Sequence, residues 1–149
     1  MAQLLIVAHA PLASSLQAVA RHVYPECGAR LRAIDVLPGA TPDEVEAQVR
    51  GVLAACPDAE VLILVDVFGA TPCNAALAAA DGVHTRVVAG VNVPMLWRTL
   101  CYADQPLDEL VSCAVAGATQ GVLHAGVPRP QQQSIATVSH DQVEHHDQQ

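Results

Sequence analysis

Two polar residues close apolar runs in this chain: His9 follows Leu4-Leu5-Ile6-Val7-Ala8, and Asp66 follows Val61-Leu62-Ile63-Leu64-Val65. Five apolar residues without a turn former read as a buried strand of a parallel sheet. If the two strands are neighbours, their carboxyl ends bring an imidazole beside a carboxylate. An aspartate that accepts from one ring nitrogen fixes the tautomer and leaves the other nitrogen as a lone-pair nucleophile or base. The structural alternative is plain: His9 ends a strand with a polar residue, and Asp66 caps the loop that follows.

That loop is Gly69-Ala70-Thr71-Pro72-Cys73-Asn74. Gly69 permits close backbone approach, while the Thr71 hydroxyl and the amides of a helix start can hold an anion. Thr71-Pro72 reads as an N-cap followed by proline, and a capped helix needs those residues even without a ligand. The stretch is not a Walker loop, which requires a lysine; all seven basic residues here are arginine. Cys73 offers a second chemistry, a helix-start thiol of lowered pKa acting with His9 and Asp66. Its bland counterpart is a small buried hydrophobe.

The elements that must position these residues alternate along the chain. After the first strand, a helix is expected over 11–20. A strand follows at Leu31–Val36, then the turn Leu37-Pro38-Gly39. Thr41-Pro42-Asp43-Glu44 is a capping box opening a helix that stops near Pro57. The third strand, expected from Glu60 to Asp66, leads to an Ala-rich helix over 73–80. A fourth strand spans Thr85–Ala89, and helices follow around 95–100 and 106–119. A short antiparallel edge strand is expected at 121–125. Four β-α units imply right-handed crossovers and an α/β, doubly wound, mainly parallel sheet of order 2-1-3-4. In that order the first and third strands are adjacent, at the point where ligands bind such sheets.

At 149 residues the chain suits one domain. It is 52% apolar but only 3% aromatic, so the core must be built from Ala, Val and Leu. A formal charge of −8 and no arginine cluster argue against nucleic acid. The five cysteines have no CxxC spacing and signal neither a zinc site nor a disulfide framework. With no signal peptide and no membrane span, a cytoplasmic protein is expected. From Pro128 the composition turns to Gln and His without apolar period, so 1–127 is read as the domain and 128–149 as a disordered tail. His140, His145 and His146 lie close together in that tail, but no metal site is expected where nothing preorganises ligands. A response-regulator receiver shares this topology. It needs an acidic pair after strand one and a lysine, and the chain has neither.

Three segments taken together carry a resemblance: Leu4 to Pro11 with His9, Leu64 to Ala76 with Asp66, and Ala89-Gly90-Val91-Asn92-Val93-Pro94-Met95-Leu96. Over about residues 1–127 they resemble the mannose-type enzyme IIA domain of the bacterial phosphotransferase system. The resemblance implies a flavodoxin-like fold and a phosphotransferase without cofactor or metal. His9 would accept phosphate from the histidine-containing phosphocarrier protein and pass it to a IIB domain for sugar uptake. Asp66 would orient His9, and Gly69 and Thr71 would bind the phosphate. The resemblance also implies a homodimer, with the strand around Val122 to Ala125 exchanged between subunits, and membrane contact only through a transporter complex.

The chain departs from the family pattern at Ala70, where a second glycine is frequent, at Cys73, where an aromatic is common, and at Arg98, where an acidic residue is frequent. These touch loop and partner surface rather than the His–Asp pair. A regulatory phosphocarrier, the related dihydroxyacetone-kinase phosphocarrier and a catalytically silent interaction module remain alternatives.

Overall fold

The computed structural model describes residues 1–129; the expectations for the remainder of the tail, including its histidines, lie outside them. Four strands, β1 (Gln3–His9), β2 (Leu31–Val36), β3 (Val61–Val65) and β4 (Thr85–Ala89), form a parallel sheet in the order β2-β1-β3-β4. Among the described residues five α-helices surround it, α1 (Leu12–Val23), α2 (Pro42–Ala54), α3 (Thr71–Ala79), α4 (Val93–Cys101) and α5 (Leu107–Gln120), with a short 3-10 turn at Pro25–Ala29.

Side-chain alternation along the strands divides the core into two layers. Leu4, Ile6 and Ala8 of β1 and Leu62 and Leu64 of β3 face α1, α4 and α5. Leu5, Val7, Ile63 and Val65 face α2 and α3. Both faces of β1 and β3 are therefore covered, which is why these strands read as unbroken apolar runs. Each fully buried Leu or Ile contributes about 1.5–3 kcal/mol relative to exposure, and among the described residues no aromatic belongs to the buried core.

At α2 the capping box is complete: the Glu44 N–H donates to Thr41 Oγ1 (3.3 Å) and the Thr41 N–H to Glu44 Oε2 (2.9 Å). At α3 the expected cap is corrected by one residue. Thr71 is already helical, Ala70 takes the N-cap place, and no side chain caps the helix. The Asn74 N–H bonds back to the Ala70 carbonyl (3.0 Å), and that register leaves the Thr71 hydroxyl free of cap duty.

The edge strand expected at 121–125 is not formed among the described residues. Helix α5 runs on to Gln120, and the chain beyond it leaves Val122 and Leu123 exposed. A strand exists only by pairing, and among the described residues no strand pairs with that segment.

Helices α4 and α5 form a close antiparallel hairpin. It is tied at one end by the Ala2 N–H to the Ala103 carbonyl (3.1 Å) and at the other by Asn92 Nδ2 to the Ala118 carbonyl (3.3 Å). Gly117 sits in the crossing: a Cβ there would lie 2.7 Å from Arg98 Cβ and 3.2 Å from the Pro94 carbonyl oxygen. Replacing a helical glycine by alanine normally stabilises by roughly 0.5–1 kcal/mol. Here overpacking reverses the sign, and Gly117→Ala is expected to destabilise by about 1–3 kcal/mol. Urea unfolding measures this; a raised midpoint would show that the hairpin tolerates separation.

Candidate functional site

The sheet order brings His9, the last residue of β1, beside Asp66, the first residue after β3. His9 Nδ1 lies 2.6 Å from Asp66 Oδ2. The same oxygen accepts the main-chain N–H of His9 at 2.9 Å, and Oδ1 accepts the N–H of Val67 at 2.9 Å. The carboxylate is thus fixed by three donors. Burial by itself would raise its pKa, but the hydrogen bonds from the His9 backbone, the His9 ring and the Val67 backbone prevail and hold it below the usual carboxylate range. An ionised acceptor makes Nδ1 the protonated nitrogen and leaves the Nε2 lone pair free. The His9 side chain is 55% exposed whereas that of Asp66 is 12% exposed, so the buried partner orients and the accessible one can react.

Neighbouring loops hold this pair in place. The Gly90 N–H donates to the carbonyls of Val65 (3.0 Å) and Asp66 (3.1 Å), and the Val91 N–H to Val65 (3.0 Å). Gly69 adopts φ +86°, a left-handed turn that favours glycine, and its carbonyl accepts from Asn74 Nδ2 at 3.2 Å. Gly69 therefore shapes the loop rather than lining the cleft.

His9, Ala10, Val36, Leu37, Pro38, Gly39, Ala40 and Thr71 enclose a cleft of about 270 Å³. Thr71 enters it from the first turn of α3. Pro72 has no N–H, and Asn74 is bonded to Ala70, so the helix start presents the amides of Thr71 and Cys73 without intrahelical partners. The Cys73 side chain is buried in the apolar layer beneath α3, away from the cleft, so that only its main-chain amide belongs to the helix start. The thiol chemistry considered from the sequence loses its geometry there. Among the described residues, no group of three or more His, Cys, Asp or Glu side chains is arranged to hold a metal ion.

Sequence reasoning missed the opposite wall, Val36–Ala40. Its signal was available: Pro38-Gly39 follows the strand that the order 2-1-3-4 sets beside β1. Asn92 was named within the third segment of the resemblance, but its capping role was missed: its Oδ1 accepts the Met95 N–H at 2.8 Å at the start of α4.

Fold and site together define an open, doubly wound α/β domain that sets one carboxylate-bound imidazole at the carboxyl rim of the sheet. Residues 3–114 match the family described as "PTS system fructose IIA component". The chain belongs to that family, the mannose-type IIA components.

It is 40% identical over 93 residues to the mannose-specific EIIAB component of Escherichia coli K12, a match covering 60% of this chain and 29% of that relative. Among solved structures, the mannose/sorbose-specific IIA subunit of Enterococcus faecalis superposes with TM-score 0.80 at 23% identity, covering 87% of this chain and 98% of that one. A IIA protein associated with the fucose utilization operon of Streptococcus pneumoniae gives TM-score 0.68 at 25% identity, over 83% and 96%. Among the described residues no helix is long and apolar enough to cross a membrane.

The lowered Asp66 pKa has a sign that can be tested. A carboxyl whose folded-state pKa is depressed contributes stability that is fully present above the unfolded value of about 4. That stability is lost as pH falls through the folded value. Asp66→Asn should therefore be less stable than the parent at pH 7, with the gap narrowing below about pH 4. Denaturant midpoints across pH measure this; a gap of constant size from neutral to strongly acid pH would contradict it.

Proposed function

We propose that this protein is a phosphoryl carrier that takes phosphate on Nε2 of His9. The observation that carries the reading is the 2.6 Å contact between His9 Nδ1 and Asp66 Oδ2 on an accessible imidazole. The donor is the phosphohistidine of the histidine-containing phosphocarrier protein. The Nε2 lone pair attacks phosphorus in line, the N–P bond of the donor breaks, and the donor imidazole leaves with that electron pair. Asp66 keeps Nδ1 protonated throughout and faces the positive charge of the substituted ring. The phosphoryl oxygens are received by the Thr71 hydroxyl and the amides of Thr71 and Cys73 at the start of α3, with Gly69 setting the turn that leads there. Relay of an already activated phosphoryl group rests on positioning and charge stabilisation and calls for no metal or cofactor.

In this reading the acceptor is a IIB domain serving sugar uptake, in the cytoplasm, with membrane contact only through the transporter. The functional domain is 1–127. The exposed apolar side chains of Val122, Leu123 and Val127, on a segment that leaves α5 unpaired, support a homodimer in which this segment adds to a partner's sheet.

Incubation with phosphoenolpyruvate, enzyme I and the phosphocarrier protein should label the chain with acid-labile, base-stable phosphate. His9→Ala should take up none; labelling of that variant, or failure of the native chain to label, rejects the assignment. In the same assay Asp66→Asn should slow uptake on the order of 100-fold or more, because the ring loses its fixed tautomer. Cys73→Ser should retain full uptake, and its loss would return the thiol to the mechanism.

A further inference from the structure

Two helix starts meet at the rim beside His9, and only one of them is closed. Helix α1 begins three residues after His9, at Leu12, with Pro11 in its N-cap place and no acceptor on that residue's side chain. A start of this kind attracts anions. Here a carboxylate from another strand already occupies it: Asp35 Oδ1 accepts the N–H of Ser14, the third residue of the helix, at 3.0 Å. Asp35 lies on β2 directly opposite Ala8, and the next residue, Val36, stands opposite His9 and lines the cleft. The link between His9 and α1 is tied to the same strand by the Ala10 N–H to the Val36 carbonyl (3.0 Å). The Pro11 carbonyl is held by the Ser15 N–H (3.1 Å) and the Ser15 hydroxyl (2.6 Å). At α3 no side chain plays the part of Asp35.

From this asymmetry we infer that Asp35 is a positioning residue for phosphoryl transfer: it closes the start of α1 and leaves the start of α3 as the seat of the phosphoryl group on His9. The inference rests on the phosphohistidine reading and deepens it. Asp35 touches neither His9 nor the phosphoryl group. It acts by occupying the Ser14 amide and by placing its negative charge at the start of α1, next to the Val36 carbonyl that holds the turn after His9.

The test combines amide NMR with transfer kinetics. Inorganic phosphate titrated into the ¹⁵N-labelled native protein should shift the amides of Thr71 and Cys73 and leave Ala13 and Ser14 unmoved. In Asp35→Ala the amides of Ala13 and Ser14 should respond as well. Phosphoryl uptake from the phosphocarrier protein should slow roughly fivefold at unchanged KM, the size expected for a lost helix cap. Asp35→Asn keeps an acceptor oxygen in the same place and should restore uptake to within about twofold of native, a rescue that loss of fold would not give. The inference is overturned if Ser14 responds to phosphate in the native protein, if Asp35→Ala matches the native protein in both measurements, or if Asp35→Asn is no better than Asp35→Ala. Absence of phosphohistidine in every variant would reject the function instead, while the phosphate titration would still judge Asp35.

Discussion

A single carboxylate ties the fold to the chemistry. Asp66 follows the central strand β3 and gives one oxygen to both the backbone and the ring of His9 at the end of β1. A contact of 2.6 Å to the ring is available only because β1 and β3 are adjacent and parallel, with Val7 level with Val65. A different strand order would separate the pair. The two buried layers that hold β1 and β3 together thus also set the ring orientation of His9. Three donors converge on the Asp66 carboxylate, so it stays ionised, and an ionised Asp66 is what frees Nε2.

The remainder of the site follows from where loops leave a parallel sheet. Every strand ends on the same rim, so the loops after β1, β2, β3 and β4 crowd one edge. The loop after β4 braces the main chain at Asp66 through Gly90 and Val91. The loop after β2 walls the cleft through Val36–Ala40, and the loop after β3 delivers Thr71. No residue lining that cleft carries a fixed positive charge. Among the described residues that line it, Thr71 brings in the start of α3, whose free amides carry partial positive charge.

Much of this was legible in the sequence, for physical reasons. Strands covered on both faces must be continuously apolar, so β1 and β3 stood out, and a polar residue ending each run was conspicuous. The Thr41–Glu44 capping box is a local signal, and it is satisfied as expected. What the sequence did not disclose depends on contacts between distant segments. Whether Thr71 caps α3 or stands inside it turns on a single backbone bond to Ala70. The link between Asp35 and Ser14 spans 21 positions and requires β2 to lie beside β1. The expected strand at 121–125 needs a pairing edge that no other strand of the described chain supplies.

The central claim concerns one nitrogen atom. The most direct measurement is ³¹P–¹⁵N coupling in the phosphorylated protein labelled at histidine nitrogen. A phosphorus coupled to Nε2 of His9, with a proton retained on Nδ1, is the result this account predicts. Coupling to Nδ1 of His9, or to any other residue, would contradict it.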